Sequence, residues 1–344
     1  MSRAWYAAAI ASLYQYPYLS GTNYEEFTRT ICPSKNAHIT PSNLAPLVRT
    51  LDMSALVHNS SRSLTARLLG RLKHNVEEFI APQASFAINS FAALGKCTKL
   101  TYLDLSLISA SISNKLLFQT LKHLDSLTTL SFPRSSNLDE DKESPIPYGW
   151  PPKLETLNLA GGINTHFLLT HLTAVPKSLK RLSINHCSSV YPSPLINVLS
   201  RLGSQLQQLT IRHPMTKLHL GALDEVLTLC PSLLALRISA DYITIAAFTS
   251  LSSYTSHPLQ ILDLECSPQA TADVQIPPAV IYEAVESGTL EGLRSVRVSA
   301  RLAWTATERR RQDVEDLVEA MADLDVEEPW SGGEVGCWAS LMDV

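Results

Sequence analysis

Leu179-Lys180-Arg181-Leu182-Ser183-Ile184-Asn185 and Leu206-Gln207-Gln208-Leu209-Thr210-Ile211-Arg212 share one phrase: an apolar residue, two others, an apolar residue, one other, and a third apolar residue. Leu233-Leu234-Ala235-Leu236-Arg237-Ile238 repeats it, and working outward from these three finds it ten times. The central residues are Leu51, Phe79, Leu103, Leu130, Leu157, Leu182, Leu209, Leu236, Leu262 and Val296. The steps between them are 28, 24, 27, 27, 25, 27, 27, 26 and 34 residues. Alternation at the second and third apolar positions is the period of a strand, which sends three side chains inward and the residues between them outward.

A period near 27 with an L-x-x-L-x-L core is the signature of a leucine-rich-repeat solenoid. The expected fold is α/β, a right-handed horseshoe of about ten repeats of ~27 residues with a parallel inner sheet. Outer helices are expected where apolar residues recur at three and four: Leu64/Leu68/Leu72, Leu116/Phe118/Leu121, Leu195/Val198/Leu199/Leu202, Leu223/Val226/Leu227 and Val280/Ile281/Ala284/Val285. The acidic, proline-bearing run from Pro133 to Pro147 reads as an exposed loop in place of one helix. Three regions are expected: 1–40, an N-terminal helical cap; 41–300, the solenoid; and 301–344, a capping helix and acidic tail. In the last, Thr305 with Glu308 suits a capping box, and Val314, Leu317, Val318, Met321 and Leu324 form an apolar stripe. This helix is expected to cover the open end of the array. Arg309 with Asp313 and Arg311 with Glu315 read as i,i+4 pairs on a solvated face.

The composition narrows the function. The 344 residues carry a net charge of -4 with 17% charged residues, so no basic field points to nucleic acid or anionic lipid. Six cysteines stand apart with no C-x-x-C pair, which predicts reduced structural thiols and no metal or other cofactor. Cys97 and Cys230 each precede the first leucine of a unit by three, where a small buried residue fits. Arg3 followed by Ala4 to Leu13 has the outline of a secretory leader. The aromatics Trp5, Tyr6, Tyr14, Tyr16 and Tyr18 leave no small-residue cleavage site, however, and the sequon at Asn59 does not alter that reading. A cytoplasmic and/or nuclear chain is expected, with no membrane span and no oligomer. His166 and His171, five apart, do not share a helix face; no H-E-x-x-H, phosphate loop or G-x-S-x-G is present, so no enzyme is expected.

What remains is the outward face of the strands, the concave surface on which such solenoids hold their targets. The expected partner-binding residues are Tyr102, Asp104, Asn158, Arg181, Asn185, Arg212, Arg237, Asp263, Glu265 and Arg297, the arginines foremost because Arg is enriched at binding hot spots.

Short stretches carry a family resemblance. Trp5-Tyr6-Ala7-Ala8-Ala9-Ile10-Ala11-Ser12-Leu13-Tyr14, Pro17-Tyr18-Leu19-Ser20-Gly21 and Tyr24-Glu25-Glu26-Phe27 resemble the junction between F-box and repeats in fungal F-box/leucine-rich-repeat proteins. Phe132-Pro133-Arg134, Trp150-Pro151-Pro152-Lys153-Leu154 and Ile184-Asn185-His186-Cys187 are similar to the same family. The resemblance starts at about the final helix of an F-box. It implies a substrate receptor of a cullin-type ubiquitin ligase, with protein substrates on the concave face and a Skp-family adaptor on an F-box if one lies upstream. An interaction scaffold without a ligase is the alternative. A GTPase-activating solenoid fits less well, because the position after each strand holds Ile108, Ser135, Gly162, Cys187, Pro214, Asp241 or Ser267 where that family lines its strand exits with asparagines.

Overall fold

In a computed structural model, residues 3–34, 42–56, 62–84, 86–137, 147–251, 256–327 and 330–340 are described. They form two compact units, Met1–Gly162 with Ala174–Leu179, and Ile163–Thr173 with Lys180–Val344. The sequon at Asn59 and the loop residues 138–146 lie outside the described residues.

The first unit opens with helices α1 (Arg3–Gln15) and α2 (Tyr24–Ile31), the latter burying Tyr24, Phe27, Thr28 and Ile31 at helical spacing. Strands and helices then alternate: β1 (Thr50–Asp52), α3 (Arg62–Leu72), β2 (Glu78–Ile80), α4 (Ile88–Leu94), β3 (Tyr102–Asp104), β4 (Ile112–Ser113), α5 (Asn114–Leu121), β5 (Thr129–Ser131), β6 (Ser136–Asn137) and β7 (Thr156–Ala160). The five repeat strands run parallel with Leu51, Phe79, Leu103, Leu130 and Leu157 in register. Beyond Phe132 the chain makes β6, which pairs with β4. Tyr148 stacks on Phe118 at a centroid distance of 4.5 Å, and Trp150 meets the same ring edge-on at 4.8 Å.

In the second unit the order is α6 (Thr165–His171), β8 (Arg181–Asn185), α7 (Pro192–Leu202), β9 (Gln208–Arg212), α8 (Val226–Leu229), β10 (Ala235–Ser239), α9 (Ala246–Thr249), β11 (Ile261–Glu265), α10 (Pro278–Glu286), β12 (Ser295–Ser299), α11 (Glu308–Glu327) and β13 (Gly336–Ser340). Leu182, Leu209, Leu236, Leu262, Val296 and Cys337 share one register. Local chemistry sets the helix starts. Asn164 accepts a hydrogen bond from the Phe167 amide at 2.9 Å to cap α6, and Pro192 opens α7. Gly203 is required by space: a Cβ there would overlap the Leu229 carbonyl oxygen of the next turn.

None of the three apolar residues in any of the ten sequence units is more than 2% exposed. Parallel strands joined by helices, with one apolar column repeated turn after turn, make the chain an α/β leucine-rich-repeat solenoid. Cys97 and Cys230 sit in that core, and burial pushes both thiols up to about 12.

The C-terminal region differs from its reading. Helix α11 packs against α10 through the buried Leu317 and Met321, taking the place of one more repeat helix. The chain then adds β13 to the ladder beside β12, where a bare helical end cap and tail were expected. Thr307, and not Thr305, caps the helix, accepting from the Arg310 amide at 3.3 Å. Arg311 pairs with Glu308 at 3.3 Å, three residues back, where Glu315 four residues on was expected.

Candidate functional site

The period-two alternation turns every second strand residue away from the apolar column, and all ten residues expected to bind a partner fall at such positions. In the first unit, Asp104, Ser131 and Asn158 stand in register across β3, β5 and β7. Asp104 accepts from the Ser106 amide at 2.8 Å, which closes a turn after the strand, and Asn158 donates to Ser131 Oγ at 3.1 Å. Tyr102 is half-buried; burial raises its phenol pKa first, and the neighbouring Asp104 and Glu78 carboxylates add to it. This part of the face is polar and held by its own hydrogen bonds.

The second unit gathers charge. One row across its strands reads Ser183, Thr210, Arg237, Asp263, Arg297, Trp338, and the next reads Asn185, Arg212, Ser239, Glu265, Ser299, Ser340. Arg212 reaches over the small Ser239 to Glu265 at 2.7 Å, and Arg237 Nε lies 3.7 Å from Asp263. The Asp263 side chain is only 12% exposed. Burial raises its pKa, and the guanidiniums of Arg237, Arg212 and Arg297 offset that only in part. Arg297 is exposed and makes no hydrogen bond or ion pair to a described residue. Arg181 is exposed at the β8 end of the face, away from the charged row, and Asn185 donates to Ser183 Oγ at 2.7 Å.

Two features escape the sequence reading. Asp241, at the strand exit, receives Ser239 Oγ, the Ser267 amide at 2.9 Å and Ser267 Oγ at 2.7 Å, so it stitches two successive turns. Burial pushes its pKa up, but these hydrogen bonds outweigh burial and hold the carboxyl below its ordinary value. The second feature is a hollow of about 270 Å³ at the β13 end of the face, walled by Trp330 and Trp338 with Arg237, Asp263, Arg297 and Glu334. Its tryptophans lie in what reads as an acidic tail. Glu334 stands where the repeat phrase needs an apolar residue, which hides the eleventh strand. The glycine-spaced Trp330-Ser331-Gly332-Gly333 was the signal available.

Among the described residues no cluster of His, Cys, Asp or Glu is placed to hold a metal, and no helix is long and apolar enough to cross a membrane. An apolar column carrying a polar, charge-patterned strand face defines a leucine-rich-repeat protein. Its relatives are fungal. The chain is 33% identical over 327 residues to F-box protein YDR306C of Saccharomyces cerevisiae, covering 94% of this chain and 66% of that protein. It is 29% identical over 329 residues to protein pof5 of Schizosaccharomyces pombe, covering 94% and 88%. The resemblance to fungal F-box/leucine-rich-repeat proteins is thus borne out, while the chain spans about two thirds of the length of its budding-yeast relative. No protein-family model matches the sequence. Among solved structures, the yeast Rad7 and Elc1 complex contains a chain of similar fold, with a TM-score of 0.53 at 19% identity, covering 74% of this chain and 64% of that one.

Proposed function

We propose that this chain is the target-binding part of an F-box-type substrate receptor, holding a protein on its strand face for ubiquitination. The observation that carries the reading is its similarity, along 94% of its length, to a protein named an F-box protein. The charged row of the second unit supports it: the stacked strands have little backbone entropy left to lose on binding, and the planar guanidinium loses less side-chain entropy per hydrogen bond formed than an ammonium does. Arg181, Asn185, Arg212, Arg237, Asp263, Glu265 and Arg297 are the proposed contacts there, with Tyr102, Asp104 and Asn158 in the first unit. In this reading the chain performs no chemistry itself; it presents a target to a ligase assembled on a Skp-family adaptor.

Affinity purification from fungal cells tests it, with this chain and with a longer chain that includes any coding sequence upstream of Met1. Stoichiometric Skp-family adaptor with the longer chain is the expected result. Its absence from both preparations would overturn the ligase assignment.

A further inference from the structure

The hollow beside β13 carries the reading further, and the inference rests on the strand face being the target-binding surface. We propose that it is the anchor pocket for the target, and that it takes a peptide bearing an aromatic or large apolar side chain next to a carboxylate.

Three observations converge on this chemistry. First, two indoles stand half-buried beside Ile261 on a strand face that is otherwise mostly small or polar. The backbone sets their places: a Cβ on Gly332 would overlap the Trp330 ring, and Gly336, at φ +152°, lets the Trp338 ring lie 3.3 Å from where its own Cβ would stand. Indoles not used to fill a core, and fixed by glycines, supply a rigid apolar wall at low entropic cost.

Second, the floor holds unused cationic donors. Arg297 makes no hydrogen bond or ion pair to a described residue, and Arg237, its side chain 48% exposed, has one long ion pair, Nε to Asp263 at 3.7 Å; both line the hollow. Asp263, its side chain 12% exposed, lies beside the Arg237 guanidinium, and the two arginines leave one positive charge in excess along the row. A carboxylate takes two N–H donors from a guanidinium in a geometry that few other groups match. Glu334, exposed on the rim, repels a segment acidic throughout.

Third, the size of the hollow suits a single large side chain. About 270 Å³ lies below the ~300–1,000 Å³ of small-molecule sites, and suits one large residue with its neighbour's carboxylate. That carboxylate belongs either to an acidic side chain or to a chain terminus.

Fluorescence anisotropy with the whole chain and four fluorescein-labelled probes tests the pocket. The probes are Gly-Ser-Phe-Asp-Ser-Gly amide, its Asn counterpart, Gly-Ser-Gly-Ser-Phe with a free carboxyl end, and the same peptide as the amide. Either the Asp peptide or the free-ended peptide is expected to bind at least about tenfold more tightly than its uncharged counterpart; which one does so identifies the source of the carboxylate. Arg297→Gln and Trp338→Ala should each weaken that binding at least about tenfold. Arg201→Gln, exposed on helix α7 and outside the strand face, should change it less than about twofold. Thermal unfolding checks that each variant keeps the parent's fold. No binding by either carboxylate probe at about 1 mM, equal binding of charged and uncharged probes, or an equal loss with Arg201→Gln would overturn the pocket. The two proposals fail separately. Adaptor without probe binding sinks only the pocket, and probe binding without adaptor sinks only the ligase assignment.

Discussion

Leu236 and Arg237 are neighbours on β10 that face opposite ways, and replacing each by alanine tests the division of faces within one strand. Leu236 is fully buried and stacked between Leu209 and Leu262. Truncation to alanine removes three carbon groups, about 2.4 kcal/mol of transfer free energy at ~0.8 kcal/mol each. The column on both sides is held in register by strand pairing and cannot collapse fully, so the residual cavity raises the cost to about 3–5 kcal/mol. Arg237 has a side chain 48% exposed and one long ion pair, so its removal costs about 0.2–1 kcal/mol. Urea unfolding followed by circular dichroism reads both. With a slope of about 3 kcal/mol per molar, a loss of 4 kcal/mol lowers the midpoint by about 1.3 M, and the Arg237→Ala midpoint moves by about 0.3 M or less. A larger shift for Arg237→Ala than for Leu236→Ala would refute the assignment of inward and outward positions, and with it the proposed contact surface.

Two further outcomes follow from the same packing. Gly203→Ala forces a methyl group onto the Leu229 carbonyl, so a loss of at least about 1–3 kcal/mol is expected in the same urea assay; an unchanged midpoint would mean that the turns separate freely there. His257 is buried, with its ring nitrogens against the Cys230 carbonyl at 3.1 Å and the Leu259 amide at 3.2 Å, and burial lowers its pKa more than the carbonyl bonds raise it. The unfolded chain therefore takes a proton near pH 6.5 that the folded chain refuses, and the stability this group contributes, complete above that value, is lost as pH falls below it. Between pH 7 and pH 5 the parent should lose urea midpoint more steeply than His257→Gln, and parallel slopes would contradict the assignment.

Much of the fold was legible because a stacked array repeats one local rule. Each inward triplet, from Val48/Leu51/Met53 to Leu293/Val296/Val298, follows from the L-x-x-L-x-L phrase, and a period near 27 brings the triplets into line. The eleventh strand was illegible: Cys337 and Ala339 carry the inward positions weakly, and Glu334 breaks the phrase. The sequence points to Thr305, which has Glu308 three residues on, whereas in the structure Thr307 caps α11.

The candidate site divides in the same way. Its ten residues were read as outward-facing from alternation, and they are. Which of them meet was not readable. Arg212 and Glu265 join across an intervening strand because Ser239 between them is small, a relation set by lateral register. Likewise Asp241 and Ser267, 26 residues apart, become hydrogen-bond partners only once one turn is laid on the next.

By itself the sequence determined which side of each strand is apolar and how many residues make one turn, since both are periodicities of the chain. Tertiary structure alone decided which charges pair, where the ladder ends and that two tryptophans from an acidic segment close a hollow over Arg297. Those depend on distances between strands, and linear order does not encode a distance until the turns are stacked.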